Sequence, residues 1–394
     1  MRIAISGAGV AGPAAAFWLS RAGHEVTLIE RAPQFRAGGY IVDFWGVGYD
    51  VAERMGIIGK VRDAGYLVRE VRLVDRQGRR VSGFDVGSLR SVTGDRFTSL
   101  PRGQLALASY HALGDKVEAL FGESIVSVQD KGPALRLSFE KQSSREFDLL
   151  IGADGQHSNV RRLVFGPEER FEKRLGYYVA AFEASGYGPR DELVYMMHCI
   201  PGRQVSRFSM RGGRTMFLFI FRSEYLRGPE PHDTAGFKST LENVFADVGW
   251  ETPQILAAMR GVDEVYFDRV AQIKLPAWSK GRVALIGDAA AAVSLLAGEG
   301  TGLGLTEAYV LAGALRDADG DHVRAFQHYE QTLRRFVEAK QKGAENFAST
   351  FAPRTAFGVW ARDQALKLMA VPALARVFLS SALKDDITLP DYRA

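Results

Sequence analysis

At 394 residues, with 46% hydrophobic and 24% charged side chains, the chain is long for one globular domain and comfortable for two, each with a sizeable core. Lys and Arg number 50 against 46 Asp and Glu, so the net charge is +4, too slight over this length to argue for a nucleic-acid partner. The single cysteine, Cys199, excludes an internal disulfide and suits a reducing cytoplasm, and no apolar run approaches the roughly 18 residues that span a bilayer.

Residues 3–6 read as a buried strand, 13–22 as a helix stopped by Gly23, and 26–29 as a second strand. In the turn between strand and helix, Gly7, Gly9 and Gly12 stand in G-x-G-x-x-G spacing. Glu30 ends the second apolar run, VTLIE, and Arg31 follows it. Glycines so placed allow a tight turn, close approach of backbone to a pyrophosphate, and close helix–strand packing; the acidic residue accepts hydrogen bonds from a ribose. The basic and apolar start also has the look of a signal peptide, but that reading leaves the glycine spacing and Glu30 unexplained, so a cytoplasmic protein is expected.

Arg36 and the loop 38–46, which carries Asp43, precede a helix that Gly56 ends. The arginines at Arg69, Arg72, Arg76, Arg79 and Arg80 read as a solvated surface. Residues 100–120, with Arg102 near their start, look helical, and 124–128 and 135–139 look like a small hairpin. The stretch DLLIGADGQHSNVRR, 148–162, then repeats the motif of a buried strand followed by glycine, aspartate and glycine, with Asp154 and Gly155 at its turn.

From about residue 170 to 270 the pattern becomes β-like, with a hairpin turn at 211–214. Positions 216–221 are apolar without interruption, so both faces of that strand should be covered, one by its own domain and the other by the first. Aromatic side chains concentrate here; for any single one core packing is the better reading, while together they suit an apolar cavity, with Tyr178, Phe208, Phe217 and Phe219 as the candidates to line it. His198 lies in an apolar strand and is better read as a core histidine than as a base. His111 and His157 sit near motifs without an evident role, and no general base can be named.

Residues 283–304, VALIGDAAAAVSLLAGEGTGLG, form a third strand–turn–helix signature, with Gly287 and Asp288 after the strand and Gly298, Gly300, Thr301 and Gly302 opening the helix. A second buried strand ending in aspartate suggests a cofactor gripped at two distant points, which favours FAD over a nicotinamide that comes and goes. Helices at 306–316 and 322–346 and an apolar helical end complete the chain. The expected fold is α/β: a doubly wound, Rossmann-like, three-layer FAD-binding domain (1–168 and 271–325), an inserted β-sheet substrate domain (169–270), and C-terminal helices (326–394).

With the three motifs in this order, the chain resembles the class A flavoprotein monooxygenases, the para-hydroxybenzoate hydroxylase-like family, and within it compact members such as the tetracycline-inactivating monooxygenases. The resemblance covers residues 1–165 and 270–325. It implies FAD as cofactor, NAD(P)H as a transient co-substrate and O2 as oxidant. The reaction it implies is hydroxylation of a phenolic or polycyclic aromatic small molecule, antibiotics among them, through a flavin C4a-hydroperoxide, in a monomer or homodimer with no metal. It further implies that Arg102 contacts the flavin end, that Arg36 meets a phosphate of FAD or of the nicotinamide, and that Asp43 binds FAD. Asp154 with Gly155 would serve both nucleotides, Asp288 a hydroxyl of the ribityl chain, and the helix opening at 300–304 the flavin N1 and C2 oxygen.

Three positions depart from the family pattern. Ala291 replaces a histidine, Ser294-Leu295 stands where a proline often lines the flavin, and Gly298-Glu299-Gly300 replaces GQG. The lost proline keeps open an FAD-dependent oxidase or dehydrogenase of the same fold, or a flavin protein that binds a ligand without turnover. The five tryptophans form no W-x-W pair, which weighs against a halogenase.

Overall fold

The computed structural model describes residues 1–35, 39–87, 93–94, 96–188, 190–368 and 385–392. Its central sheet has six strands in the order Ser279–Lys280, Val283–Leu285, Leu149–Gly152, Arg2–Ser6, Glu25–Glu30 and Glu118–Phe121. All neighbours are parallel except the first pair. The inner strands are apolar at nearly every position because both faces of a parallel sheet are covered. Parallel register has a functional consequence: Gly7, Glu30, Asp154 and Asp288 all lie at or just past the C-terminal ends of adjacent strands, at one edge, where open α/β sheets bind ligands. Helix Ala11–Arg21 packs on strands Arg2–Ser6 and Glu25–Glu30 and on helix Gly300–Asp317. Alanines and glycines make that crossing close; a Cβ at Gly304 would lie 3.3 Å from the Cβ of Ala11.

A second, seven-stranded sheet runs in the order Tyr266–Ile273, Glu172–Ser185, Arg214–Arg222, Arg203–Met210, Val194–Ile200, Glu70–Val74 and Arg80–Asp85. Side chains alternate across it. Phe217, Phe219 and Phe221, with Tyr178, pack beneath helices Thr234–Phe245 and Thr252–Arg260 in a core shared with Leu241, Phe245 and Ile255. Met216 and Leu218 face the other way, toward Tyr66, Phe208 and Phe97. The uninterrupted apolar run is therefore covered on both faces, as its composition requires.

Several boundaries differ from those read in the sequence. The strands Glu70–Val74 and Arg80–Asp85 lie far outside 169–270 yet complete the second sheet, because Glu70–Val74 pairs in parallel with Val194–Ile200. Arg69, Arg76, Arg79 and Arg80 are exposed, as a solvated surface requires; only Arg72 is half-buried, reaching Glu70 at 2.6 Å and Asp191 at 3.1 Å. The helix within 100–120 is only Arg102–His111, and Glu118–Phe121 becomes the edge strand of the parallel sheet. Two helices interrupt the β-like region. Their start signals are ordinary ones: Asp233 accepts a bond from Gly236 N at 2.7 Å, and a proline opens the second. The amphipathic helix runs on to Phe351, as His322–Phe351.

Candidate functional site: a dinucleotide cleft at the sheet edge

The first turn is built by glycine sterics. Gly7 adopts φ +107° and donates its N–H to Ile29 O at 2.7 Å, and a Cβ there would sit 2.5 Å from Ala153 O. A Cβ at Gly12 would lie 1.8 Å from Gly7 O, so only glycine lets the helix start this close to the strand. Gly9 is different: its missing Cβ would meet nothing nearer than Arg102 Nη2 at 3.7 Å, which leaves an open approach to the backbone. Helix Ala11–Arg21 has no side-chain cap, so its first N–H groups and dipole are free for an anion. Glu30 is held at the turn by Ala8 N and Ala32 N, both at 2.8 Å, each carboxylate oxygen retaining a lone pair for a ribose hydroxyl. Arg31 follows on the exposed surface, and Arg36 lies outside the described residues.

The other motifs converge on the same edge. Asp288 opens the short helix Asp288–Ala291, and its Oδ1 would be 3.3 Å from a Cβ on Gly300, so the carboxylate lies against the turn that starts helix Gly300–Asp317. Burial pushes its carboxyl up, and the charge of Arg102 opposes that shift. Arg102 begins its own helix, donates its N–H to Tyr40 O at 3.0 Å, and reaches toward Gly9. It thus spans the space between the two glycine turns. Gly287 (φ +62°) and Gly298 (φ +71°) supply the left-handed geometry those turns need. The Thr301 hydroxyl is buried without a hydrogen-bond partner among the described residues, and Gly302 faces Gly48, whose Cβ would be 2.3 Å from Gly302 Cα. An unpartnered buried hydroxyl beside a glycine cradle, two open helix starts and an arginine fit a flavin dinucleotide.

Asp154 holds its own turn together. Its carboxylate accepts from Ser158 Oγ, from Val160 N at 3.0 Å and from Ser6 Oγ at 3.5 Å, so it is engaged in shaping its own turn, where Gly155 takes φ +80°. Asp43, on Ile41–Phe44, is bonded by the Ser99 hydroxyl, and burial raises its carboxyl.

Three of the four candidate aromatics need correction. Tyr178, Phe217 and Phe219 belong to the core under the two helices, on the face turned away from this cleft. Phe208 alone of the four lies on the opposite face, in a cluster that also gathers Tyr40 and Trp45 from the loop after the first glycine motif and Met216, Leu218 and Tyr266 from the sheet. Tyr40 and Tyr266 approach to 5.3 Å between ring centroids, and the Tyr266 hydroxyl donates to Asp268 at 3.3 Å. Sequence reading missed Tyr40, Trp45 and Tyr266; the aromatics beside the glycines in GGYIVDFWG were the available signal. It also missed Glu307, whose carboxyl takes the N–H of Gly287 and so fixes the turn before Asp288; burial pushes it up to about 8. His157 ties its turn to strand Tyr266–Ile273, contacting Glu168 at 2.8 Å and Asp268 at 3.1 Å, and these bonds raise it to about 9. His198 is indeed a core residue, bonded to Val74 O at 3.0 Å.

Among the described residues no helix is long and apolar enough to cross a membrane. Residues 1–339 match the family described as FAD binding domain. The chain is 40% identical over 346 residues to an uncharacterized protein of Mycobacterium tuberculosis (strain ATCC 25618 / H37Rv), covering 86% of this chain and 91% of that one. It is 32% identical to a flavin-dependent monooxygenase of Legionella longbeachae serogroup 1 (strain NSW150), covering 100% and 99%. Its fold is similar to the crystal structure of tetracycline destructase Tet(51), with a TM-score of 0.84 at 31% identity over 99% of both chains. Spanning nearly the whole of such relatives, the chain belongs to the FAD-binding domain family and is a flavin-dependent monooxygenase.

Proposed function

We propose that this FAD-dependent monooxygenase takes reducing equivalents from NAD(P)H, uses O2, and hydroxylates a phenolic or polycyclic aromatic small molecule in the cytoplasm. The observation that carries the reading is the aromatic junction: Tyr40 and Trp45 on one side, Phe208, Met216, Leu218 and Tyr266 on the other, next to Arg102 and Asp288. Such a lining recognises a flat apolar ring by stacking and keeps water from the reacting face. Arg102 and the Thr301 hydroxyl would orient the cofactor, Glu30 its ribose, and Asp288 its polyol chain. Bound FAD supplies hydride acceptance and oxygen activation. The start of helix Gly300–Asp317 offers N–H groups and a positive dipole end where negative charge gathers on reduction. The likeness to a tetracycline destructase supports a polycyclic aromatic among the substrates.

The test is oxidation of NADPH and NADH in air by the purified yellow protein, against phenols, quinolones and tetracyclines. Ligand-stimulated oxidation with a product heavier by one oxygen atom is the expected result. Bound FAD whose reduction no compound accelerates would overturn it in favour of the oxidase, dehydrogenase or binding-protein readings and direct attention to Ser294.

A further inference from the structure

The described residues 385–392 lie along helix Gly300–Asp317 as a strap. Tyr392 packs on Gly313 and meets Tyr309 edge-on with ring centroids 5.2 Å apart, Pro390 O accepts from the Tyr309 hydroxyl at 2.9 Å and from Arg54 Nη1 at 3.1 Å, and Leu389 is buried. At the other end of the strap stands Asp385. Its Oδ2 accepts the N–H of Val47 at 2.7 Å, capping helix Gly46–Arg54, for which the residue before the helix provides no side-chain cap. Its Oδ1 pairs at 2.7 Å with Lys340 Nζ, which also pairs at 3.0 Å with Glu299 Oε1, at the very start of helix Gly300–Asp317. All three side chains are largely buried, at 12–16% exposed. Gly46 makes the approach possible, since a Cβ there would lie 2.1 Å from Asp385 Oδ2. Asp385, Lys340 and Glu299 line one small cavity together with Asp43, Trp45 and Gly302, residues of the flavin end of the site.

We propose that Asp385 is a positioning residue of the FAD site: through Val47 and Lys340 it locks two helix starts together as the wall against which the flavin end rests, and it sets the charge behind that wall. This rests on the flavin end lying at the start of helix Gly300–Asp317. Two carboxylates and one ammonium leave a net negative charge there. Removing Asp385 therefore has two consequences: a looser wall releases FAD faster, and one fewer negative charge favours the reduced, more negative flavin.

The experiment uses the full-length holoenzyme, with FAD release followed by fluorescence recovery and the reduction potential by dye equilibration. Asp385→Ala is expected to release FAD about tenfold faster. Asp385→Asn, nearly isosteric and still able to accept from Val47, is expected to release it only slightly faster but to raise the potential. Lys340→Met is expected to lower the potential, opposite in sign. Wild-type release rates and potentials in both Asp385 variants, even with a lowered Tm, would reduce the residue to a fold anchor and overturn the proposal. If Asp385→Ala does not fold, the opposed signs in Asp385→Asn and Lys340→Met still decide. Wild-type protein that holds no FAD would instead undo the cofactor reading beneath it.

Discussion

Gly9 and Gly12 share one turn, yet a methyl added to each should act on a different link between structure and function. At Gly9 the new Cβ meets only Arg102 Nη2 at 3.7 Å, an ordinary contact, so the apoprotein should fold with nearly unchanged stability. The methyl occupies instead the space through which a pyrophosphate reaches the backbone. Charge-assisted hydrogen bonds contribute about 1.5–3 kcal/mol each. Displacing the phosphates from one or two of them costs about 3 kcal/mol, roughly a hundredfold in the Kd for FAD. At Gly12 the Cβ would lie 1.8 Å from Gly7 O, a backbone atom that cannot swing aside. The helix must move off the strand by more than 1 Å to about 3 Å of clearance, an overpacking cost of about 1–3 kcal/mol. Alanine's helix propensity returns about 1 kcal/mol of this, so a net loss of up to about 2 kcal/mol remains. Titration of each apoprotein with FAD by fluorescence quenching, beside urea denaturation, separates the two. A Gly9→Ala protein that binds FAD with wild-type affinity would refute the assignment of this turn to the pyrophosphate.

Phe219→Ala should destabilise by about 3–5 kcal/mol in urea while leaving the FAD content of the folded protein unchanged, since the ring is core and not cleft; loss of FAD without loss of stability would contradict that placement. His157 is raised from 6.5 to about 9 by its two carboxylates, so its contribution is complete below pH 6.5 and disappears as pH rises through 9. His157→Gln should accordingly be less stable than wild type at about pH 6, with the gap closing above pH 9; a gap independent of pH would show that the ion pairs do not matter. Glu307, raised from 4.5 to about 8, is neutral in the folded protein at pH 7, so wild-type stability should decline from pH 4.5 through 8. Glu307→Gln should lack that part of the slope and be the more stable form at about pH 9, and equal urea midpoints for the two proteins there would count against a buried neutral acid.

The parallel sheet and its dinucleotide edge were legible because their signals are local: a short apolar strand followed at once by glycines that tolerate no Cβ. What escaped was settled by contacts between distant segments. The run at 216–221 is apolar throughout, so period 2 could not tell which residues face the helices, and Phe217 and Phe219 stayed candidates for the cavity although both are core. Arg72 alone of its arginine cluster is half-buried, and one of the carboxylates that pair with it, Asp191, lies over a hundred residues away in sequence. Glu299 could be noticed as a departure from GQG, but its meaning depends on Lys340 and Asp385, which no spacing rule connects to it. Asp154 shows the converse: its position was readable, while its engagement with Ser158 and Val160 was a matter of local geometry.

The pairing of Glu70–Val74 with Val194–Ile200 bears on how this scaffold can be re-engineered. A chimera that transplants residues 172–273 from a relative, to import its specificity, would leave an alien strand edge against the resident hairpin. Cross-strand side chains on that ladder would no longer match, and the same segment made alone would expose an unpaired edge prone to aggregation. The transferable module is discontinuous: the hairpin strands Glu70–Val74 and Arg80–Asp85 have to travel with the larger segment.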